Sequence, residues 1–160
     1  MSKFRDILFT LRPATLEDMR IVFELSNDPA VRSQSFVSTA ILWDDHARWF
    51  ENKIADKACL FLIIEAEGKF AGQIRFDVRG DDALVSVSVF SAWRGKGIAR
   101  SAMAKAVFVL KQHFCGISRV VASIKSANVA SIKFFQACGF KLVNDCVMQG
   151  CEAKKYAYVF

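Results

Sequence analysis

The 160-residue sequence predicts a mixed α/β domain, in which a mainly antiparallel central sheet is flanked by about four helices. Apolar and polar residues alternate over 70–78 and 84–90, as they do in half-buried strands. Apolar residues recur at helical spacing over about 43–54 and 97–112. No internal repeat, Pro/Ser-rich linker or shift in composition divides the chain, so residues 1–160 are expected to form a single domain.

The first third of the chain is expected to hold one strand and two helices. Residues 7–12 are expected to form a short apolar strand that Pro13 ends, because proline has no backbone N–H for a ladder. Thr15 is the expected N-cap of the first helix, and Asn-Asp-Pro at 27–29 ends that helix. The second helix is expected over about 43–54.

The rest of the chain is expected to combine six strands with two further helices. Gln73, Arg75 and Asp77 fall on one face of the strand over 70–78, opposite an apolar face. The strands are expected over 59–65, 70–78, 84–90, 119–124, 141–147 and 154–159, and the helices over 97–112 and 128–137.

Charge and composition narrow the range of partners. With 22 Lys and Arg against 16 Asp and Glu, the formal charge is +6 and the pI is about 9.2, which favours a phosphate-bearing partner. The basic residues are scattered and form no stripe with aromatic residues, so no nucleic-acid partner is expected. No apolar run reaches the roughly 18 to 20 residues that cross a bilayer, so no membrane partner is expected.

The five cysteines stand at irregular spacing, with no CxxC pair. This pattern is typical of reduced thiols that pack as small hydrophobic residues, so neither a disulfide framework nor a metal site is expected. Residues 1–6 lack the apolar stretch of a signal peptide. Together these features predict a cytoplasmic protein.

A short basic glycine loop joins a strand end to a helix start within Val87–Arg100. Gly95 and Gly97 let neighbouring N–H groups turn toward one ligand, and the first turn of the helix adds a positive dipole. Lys96 adds positive charge. Neither GxxxxGK[ST] nor GxGxxG is present, which excludes a P-loop and a dinucleotide fingerprint. The loop predicts a pyrophosphate site, and the alternative is an ordinary strand-to-helix turn with surface cations.

Two motifs make the sequence resemble the GNAT superfamily of acetyl-CoA-dependent N-acetyltransferases. The family pattern Gln/Arg-x-x-Gly-x-Gly/Ala matches Arg-Gly-Lys-Gly-Ile-Ala at 94–99. The Asn…aromatic…Gly-Phe element of the family matches residues 128–140, and its first strand and helix are similar to residues 11–18. The resemblance covers nearly the whole chain. It implies the GNAT fold and acetyl-CoA as the acetyl donor.

The resemblance implies a place for each part of acetyl-CoA. The pantetheine arm is expected beside Ser88, Val89 and Phe90, where the N–H of Val89 or Phe90 would polarise the thioester carbonyl. Asn128 matches the family asparagine that contacts this arm, and it also suits a helix N-cap. The pyrophosphate is expected on the loop residues Arg94, Gly95, Lys96, Gly97, Ile98, Ala99 and Arg100.

The catalytic groups follow the family pattern only in part. Many members carry a tyrosine that protonates the leaving thiolate. The matching residue here is Phe135, which has no proton to give and is expected to pack against the cofactor arm. The attacking amine must lose a proton. Candidate acceptors are His46, Asp77 and a water held by Ser86 or Ser88. The alternatives are a structural His46 and a solvated Asp77.

The region between the first two helices resembles a subgroup that acetylates UDP-linked 4-amino-4,6-dideoxy sugars in nonulosonic (pseudaminic or legionaminic) acid synthesis. The resemblance rests on Asn-Asp-Pro-x-Val-Arg-x-x-Ser at 27–35, His-x-x-Trp-Phe at 46–50 and the strand 72–77. It implies a nucleotide-linked acceptor, for which arginines supply charge and a tryptophan supplies a stacking surface. The expected acceptor-site residues are Arg32, Ser35, His46, Trp49, Gln73 and Arg75.

Two other functions stay open. The opening Leu-Arg-Pro-Ala at 11–14 is shared with the acetyltransferases of ribosomal-protein N-termini, which need an open neutral or acidic groove. A cationic pocket near Arg32 and Arg75 would instead favour a nucleotide-linked acceptor. Phe135 prompts the second alternative, a regulatory module that binds acetyl-CoA without turnover. A homodimer is also open, because the 15 phenylalanines suit either a core or a dimer face.

Overall fold

A computed structural model describes residues 7–160, and a seven-stranded sheet forms its centre. The strands are β1 (Phe9–Pro13), β2 (Cys59–Ala66), β3 (Lys69–Arg79), β4 (Asp82–Val89), β5 (Arg119–Lys125), β6 (Lys141–Met148) and β7 (Cys151–Val159). They lie in the order β1-β2-β3-β4-β5-β7-β6. All neighbours are antiparallel except β4 and β5, which are parallel, so the predicted mixed and mainly antiparallel architecture is confirmed.

Five α-helices accompany the sheet within residues 7–160, one more than the sequence predicts. They are α1 (Met19–Ser26), α2 (Pro29–Gln34), α3 (Trp43–Ala55), α4 (Ile98–His113) and α5 (Val129–Ala137). The additional helix is α2. The Asp28 carboxylate accepts the N–H groups of Ala30 and Val31 at 3.0 and 3.3 Å, and Pro29 occupies the first turn. The Asn-Asp-Pro sequence therefore ends α1 and at once starts α2.

Apolar residues are buried on both faces of the sheet. On one face, Ile74 and Phe76 of β3 pack in the main core with Met103 of α4. This burial confirms the predicted apolar face of β3. On the other face, Ile63 of β2 and Phe50 of α3 belong to a smaller cluster. The smaller cluster, which includes Val22 of α1, packs α1 and α3 beside the polar face of β3.

The sheet opens between β4 and β5. These strands pair only over Asp82–Leu84 and Arg119–Val121, although β4 continues to Val89 and β5 continues to Lys125. Beyond this short contact, β4 has no strand partner on its β5 side in the described part of the chain. The end of β4 therefore borders a gap.

Residues 1–6, which contribute to the expectation of a cytoplasmic protein, lie outside the described residues. No helix within residues 7–160 is long and apolar enough to cross a bilayer. The five cysteines are free thiols. Across the same residues, no group of three His, Cys, Asp or Glu side chains could hold a metal ion.

Candidate active site

The glycine loop after β4 presents a row of free backbone donors. Gly95 and Gly97 have φ values of 71° and 78°, which glycine adopts without a side-chain clash. The Ser101 N–H donates to the Gly97 carbonyl at 3.2 Å. The six N–H groups before it, from Gly95 to Arg100, donate to no acceptor within residues 7–160. Consecutive free N–H groups at a helix start form an anion site, and the exposed Lys96 adds charge to it.

Arg94 ties this loop to the end of β4. Its Nε donates to the Val89 carbonyl at 2.8 Å, and a terminal nitrogen lies 3.9 Å from the Asp28 carboxylate. Its own backbone N–H donates to the Ser91 carbonyl at 3.2 Å. Arg94 was expected among the cofactor-binding residues. Because its N–H and its Nε are both engaged within the chain, it holds the loop in place and offers no free N–H from the backbone.

The end of β4 offers a free N–H at the gap. The Phe90 N–H donates to the Ala71 carbonyl at 2.9 Å, so it is already paired. Adjacent N–H groups of an antiparallel strand point to opposite sides, so the Val89 N–H points away from β3 and toward the gap. Of the two expected donors, Val89 is therefore the one whose N–H has no strand partner among the described residues.

Gly72 brings β3 close to this part of β4. A Cβ atom on Gly72 would lie 2.3 Å from the Ser88 carbonyl oxygen and 2.9 Å from the Val89 Cα. A larger residue therefore fits only if β4 moves. The sequence assigns no role to Gly72, although a glycine inside an alternating strand can mark such a close approach.

The start of α5 carries the expected asparagine. The Asn128 Oδ1 accepts the Ser131 N–H at 3.1 Å, which confirms the helix-cap interpretation. The Asn128 Nδ2 group donates to no acceptor within residues 7–160. Phe135 is 4% exposed and packs edge to face with Phe134 and Phe140, at centroid distances of 5.1 and 5.0 Å. The residue at the family tyrosine position is thus a core residue.

A cavity of about 400 Å³ lies over the polar faces of β3 and β4. This volume is within the range of small-molecule sites. Ser86 and Ser88 of β4 line it together with residues from α2, α3 and β3. The structure brings all six expected acceptor-site residues to this cavity: Arg32, Ser35, His46, Trp49, Gln73 and Arg75.

Arg32 carries a positive charge without a carboxylate partner. Its guanidinium donates to the Ser26 carbonyl at 2.6 Å, the Val37 carbonyl at 3.0 Å and the Ser35 hydroxyl at 2.9 Å. No ion pair within residues 7–160 includes it. Burial lowers the pKa of Arg32, yet a guanidinium keeps its charge at neutral pH. The cavity wall therefore holds an uncompensated cation.

Arg75 and Trp49 form another part of the wall. The Arg75 guanidinium lies 4.9 Å from the Trp49 ring centroid, and its Nε donates to Asp77 at 3.0 Å. Asp77 also accepts from Lys53 at 2.5 Å. Burial raises the pKa of Asp77, but the bonds from Lys53 and Arg75 outweigh burial and hold the pKa below its ordinary value. Asp77 does not line the cavity, so its carboxylate holds Arg75 in place and is poorly suited to accept a proton.

His46 is packed among aromatic residues and still lines the cavity. It is 2% exposed, and its Nε2 lies 2.9 Å from the Met19 carbonyl. A carbonyl only accepts, so Nε2 carries the proton and Nδ1 is the basic nitrogen. Burial lowers the pKa of His46 below 6.5, although the bond to Met19 opposes this shift. The imidazole is therefore neutral at pH 7.

Only one end of the Gln73 carboxamide, in the cavity wall, has a hydrogen-bond partner among the described residues. It is 3% exposed, and its Nε2 donates to the Ser88 Oγ at 3.2 Å across the β3–β4 pair. Its Oε1 is buried without a donor, and no other buried side-chain nitrogen or oxygen among the described residues lacks a partner. The resemblance predicts that Gln73 belongs to the acceptor site, but the sequence does not reveal this unpaired oxygen.

Other wall residues are not predicted from the sequence. Ser26 and Val31 line the cavity where α1 meets α2, a junction that depends on the additional helix. Asp45 also lines it, and its carboxylate accepts from Arg48 at 2.8 Å. An Asp-Pro pair as a helix start is the feature that could have revealed the junction.

Comparison with known protein families identifies the domain. Residues 9–141 match the family model described as "Acetyltransferase (GNAT) domain". The chain belongs to the GNAT acetyltransferase family. It is therefore an acyltransferase that uses acetyl-CoA as its acetyl donor. No protein of curated function matches the sequence significantly.

Solved structures of other acetyltransferases share the fold of this GNAT protein. Spermidine N-acetyltransferase from Vibrio cholerae, in complex with CoA and spermine, has a TM-score of 0.82 and 18% identity, with 94% of this chain and 95% of that chain covered. Ribosomal-protein-alanine N-acetyltransferase from Brucella melitensis has a TM-score of 0.79 and 24% identity, with 94% and 99% covered. The microcin C7 self-immunity acetyltransferase MccE, in complex with acetyl-CoA and AMP, has a TM-score of 0.80 and 20% identity, with 99% and 95% covered. At these identities the likeness establishes the fold.

Proposed function

We propose that this GNAT acetyltransferase transfers acetyl from acetyl-CoA to the amino group of a nucleotide-linked amino-deoxy sugar. The uncompensated charge of Arg32 in the cavity wall carries the proposal. Together with Arg75, it favours the phosphates of a nucleotide and disfavours a cationic acceptor such as spermine. The carboxylate of Asp45, which also lines the cavity, is already paired with Arg48. The Trp49 ring adds a surface on which a sugar or base can stack.

The loop and the gap support the cofactor assignments. The free N–H groups from Gly95 to Arg100 suit the pyrophosphate of acetyl-CoA, with added charge from Lys96 and Arg100. The open side of β4 at Val89, between Ser88 and Phe90, suits the pantetheine arm. The unpaired Nδ2 of Asn128 suits a carbonyl of that arm. When bound, acetyl-CoA supplies the acetyl group as a thioester.

Val89 and the cavity wall support the assignment of the transfer step. In this proposal the unpaired Val89 N–H stabilises negative charge on the acetyl oxygen. As the C–N bond forms and the C–S bond breaks, the amine loses one proton. Nδ1 of His46 or a water held by Ser86 and Ser88 takes this proton. Phe135 has no proton to give, so the sulfur leaves as a thiolate and is protonated by solvent.

The charge of the cavity also reduces the need for a strong base. An amine on a deoxy sugar is less basic than the lysine amine, because nearby oxygens withdraw electrons. The positive charges of Arg32 and Arg75 further disfavour the ammonium form. Such an amine enters in its neutral, nucleophilic form. The reaction therefore does not need Asp77 as a base, and its carboxylate can stay bonded to Lys53 and Arg75. The complex of MccE with acetyl-CoA and AMP indicates that this fold can hold an acetyl donor and a nucleotide together.

Thiol release from acetyl-CoA tests the proposal. The acceptors are UDP-4-amino-4,6-dideoxy sugars, peptides with free N-termini and spermidine. We expect turnover on a sugar nucleotide and none on spermidine. Turnover on peptides alone would overturn the proposal in favour of the N-terminal acetyltransferase alternative. No turnover on any amine, with acetyl-CoA binding proven by calorimetry, would favour the regulatory module.

The role of Arg32 is tested by Arg32→Met. We expect KM for the sugar nucleotide to rise about tenfold or more, while Kd for acetyl-CoA stays unchanged. Arg79→Met is the matched control, because Arg79 is exposed at the end of β3 and enters no ion pair among the described residues. Arg32→Lys separates charge from packing, since it keeps the cation but loses the three hydrogen bonds. An unchanged KM in a folded Arg32→Met protein would remove Arg32 from the acceptor site.

A further inference from the structure

We infer that the Gln73 carboxamide orients the acceptor amine by accepting one of its N–H bonds at Oε1. This inference rests on the proposed function in one respect, namely that an amine occupies the cavity. It adds Gln73 as a positioning residue of that site and names Oε1 as the atom that contacts the amine. The identity of the sugar or nucleotide does not enter it.

The unpaired oxygen of Gln73 is the first observation. Oε1 is buried without a donor, whereas the other end of the same carboxamide is bonded to Ser88. Buried polar atoms in native proteins nearly always have a partner, so an exception needs an explanation. The oxygen belongs to a residue that lines the cavity, so a donor on a bound ligand is the partner that completes it.

The register of the sheet is the second observation. Gln73 is paired with Ser88, and the adjacent Gly72 is paired with Val89. Neighbouring rungs of a ladder are about 3.3 Å apart. The carboxamide that lacks a donor therefore lies one rung from the N–H proposed to stabilise the acetyl oxygen. A transfer site needs a hydrogen-bond donor for the acetyl oxygen and an orienting acceptor for the amine, and here they stand side by side.

The chemistry of the carboxamide defines its role. A single bond of 3.2 Å to Ser88 holds it, and we infer that the carboxamide gives up this bond when it turns about its terminal bond to present Oε1 to an entering amine. A neutral primary amine then donates one N–H to Oε1, and its lone pair is free to attack the acetyl carbon. An amide oxygen is far too weak a base to take the proton. Gln73 therefore positions the nucleophile, and the proton leaves by another route.

Two variants of Gln73 separate this role from packing. Gln73→Met keeps the side-chain length and removes the oxygen, and Gln73→Glu keeps an oxygen that accepts. We expect Gln73→Met to lower kcat/KM for the acetylated amine about ten- to hundredfold, with Kd for acetyl-CoA unchanged. Its Tm should not fall, because the variant also removes an unsatisfied buried atom. Gln73→Glu should retain activity within about fivefold of wild type. Gln112→Met, exposed near the far end of α4, is the matched control.

The outcomes for the inference and for the proposed function can be told apart. Activity is measured on whichever amine of the sugar-nucleotide, peptide and spermidine panel the wild type acetylates, so a wrong sugar assignment leaves the Gln73 comparison intact. Equal kcat/KM for Gln73→Met and wild type overturns the inference. A parallel fall in Tm and activity overturns it too, because it indicates a packing role. If no amine is acetylated, the Tm decides: a lower Tm for Gln73→Met overturns the inference, and an unchanged or higher Tm supports the unsatisfied oxygen on which it rests.

Discussion

Replacing Gly72 with alanine tests the close approach of β3 and β4 at the reacting end of the site. The added Cβ would lie 2.3 Å from the Ser88 carbonyl oxygen, whereas ordinary contacts begin at 3.4 Å. The backbone of β4 must therefore move by about 1 Å at the residue before Val89. The neighbouring Cα atom of Val89, 2.9 Å from the added carbon, blocks an escape in that direction.

The displacement has two measurable consequences. Overpacking of this kind costs about 1–3 kcal/mol of unfolding free energy, or a fall in Tm of about 2–12 °C for a chain of this size. A misplacement of about 1 Å at reacting groups lowers turnover about a hundredfold. Urea denaturation measures the first effect, and thiol release with the acetylated amine measures the second. Calorimetry should show a smaller change in acetyl-CoA affinity, because the atoms nearest to the added Cβ all belong to β4 and none belongs to the glycine loop.

Gly116→Ala is the matched control for this experiment. A Cβ on Gly116 would meet no atom within 4 Å, and its φ is not in the left-handed region. It should be neutral or stabilise the protein by about 0.4–1 kcal/mol through the unfolded state. If Gly72→Ala matched Gly116→Ala in both stability and activity, the contact between Gly72 and β4 would not constrain the site as described.

Three further predictions follow from other parts of the structure. Gly97→Val and Gly80→Val each put a β-branched residue at a positive φ, of 78° and 64° respectively, so both strain the backbone. Only the Gly97 variant should lose acetyl-CoA affinity in calorimetry. Equal affinities for the two variants would remove the loop from the acetyl-CoA site. Burial raises the pKa of Asp18, but hydrogen bonds from Arg12 and Thr15 outweigh burial and hold the pKa below its ordinary value. The ionised carboxylate therefore stabilises the folded protein above about pH 4, and this contribution is lost as the pH falls further. Urea denaturation should therefore show Asp18→Asn less stable than wild type by about 1–3 kcal/mol at pH 7, with a gap that narrows toward pH 2; a pH-independent gap would contradict this. Phe135→Tyr buries a hydroxyl in the core, so Tm should fall and kcat should not rise; a higher kcat would mean that the hydroxyl reaches the thiolate.

Local patterns predicted most of the strands and helices correctly. The alternation along β3 and β4 placed Ile74 and Phe76 in the core and Gln73 on the polar face, because strand side chains alternate between faces whatever lies around them. The sequence does not predict α2, because Asn-Asp-Pro is typical of a helix end. The side chain of Asp28, which caps the next helix, makes the same three residues a beginning.

The two halves of the candidate site differed in how far they could be predicted. The glycine loop is contiguous, so its glycines and basic residues are recognisable together at 94–100. The acceptor-site residues were grouped by resemblance, but their bonding was not predictable. The engagement of Asp77 by Lys53 depends on a residue 24 positions away in the sequence, and the bonds of Arg32 to Ser26 and Ser35 depend on the turn between α1 and α2 and on the end of α2, which the sequence does not predict.

The sequence by itself determined the family and the loop that suits a pyrophosphate, because both follow from contiguous motifs, and its resemblance to a known subgroup identified six of the residues that line the cavity. Only the tertiary structure decided which groups are free to act. Phe90 donates its N–H to Ala71, whereas the N–H of Val89 has no strand partner among the described residues. The Gln73 oxygen lacks a donor although its nitrogen is bonded. Whether a polar group finds a hydrogen-bond partner depends on which chain segment packs beside it in the folded protein.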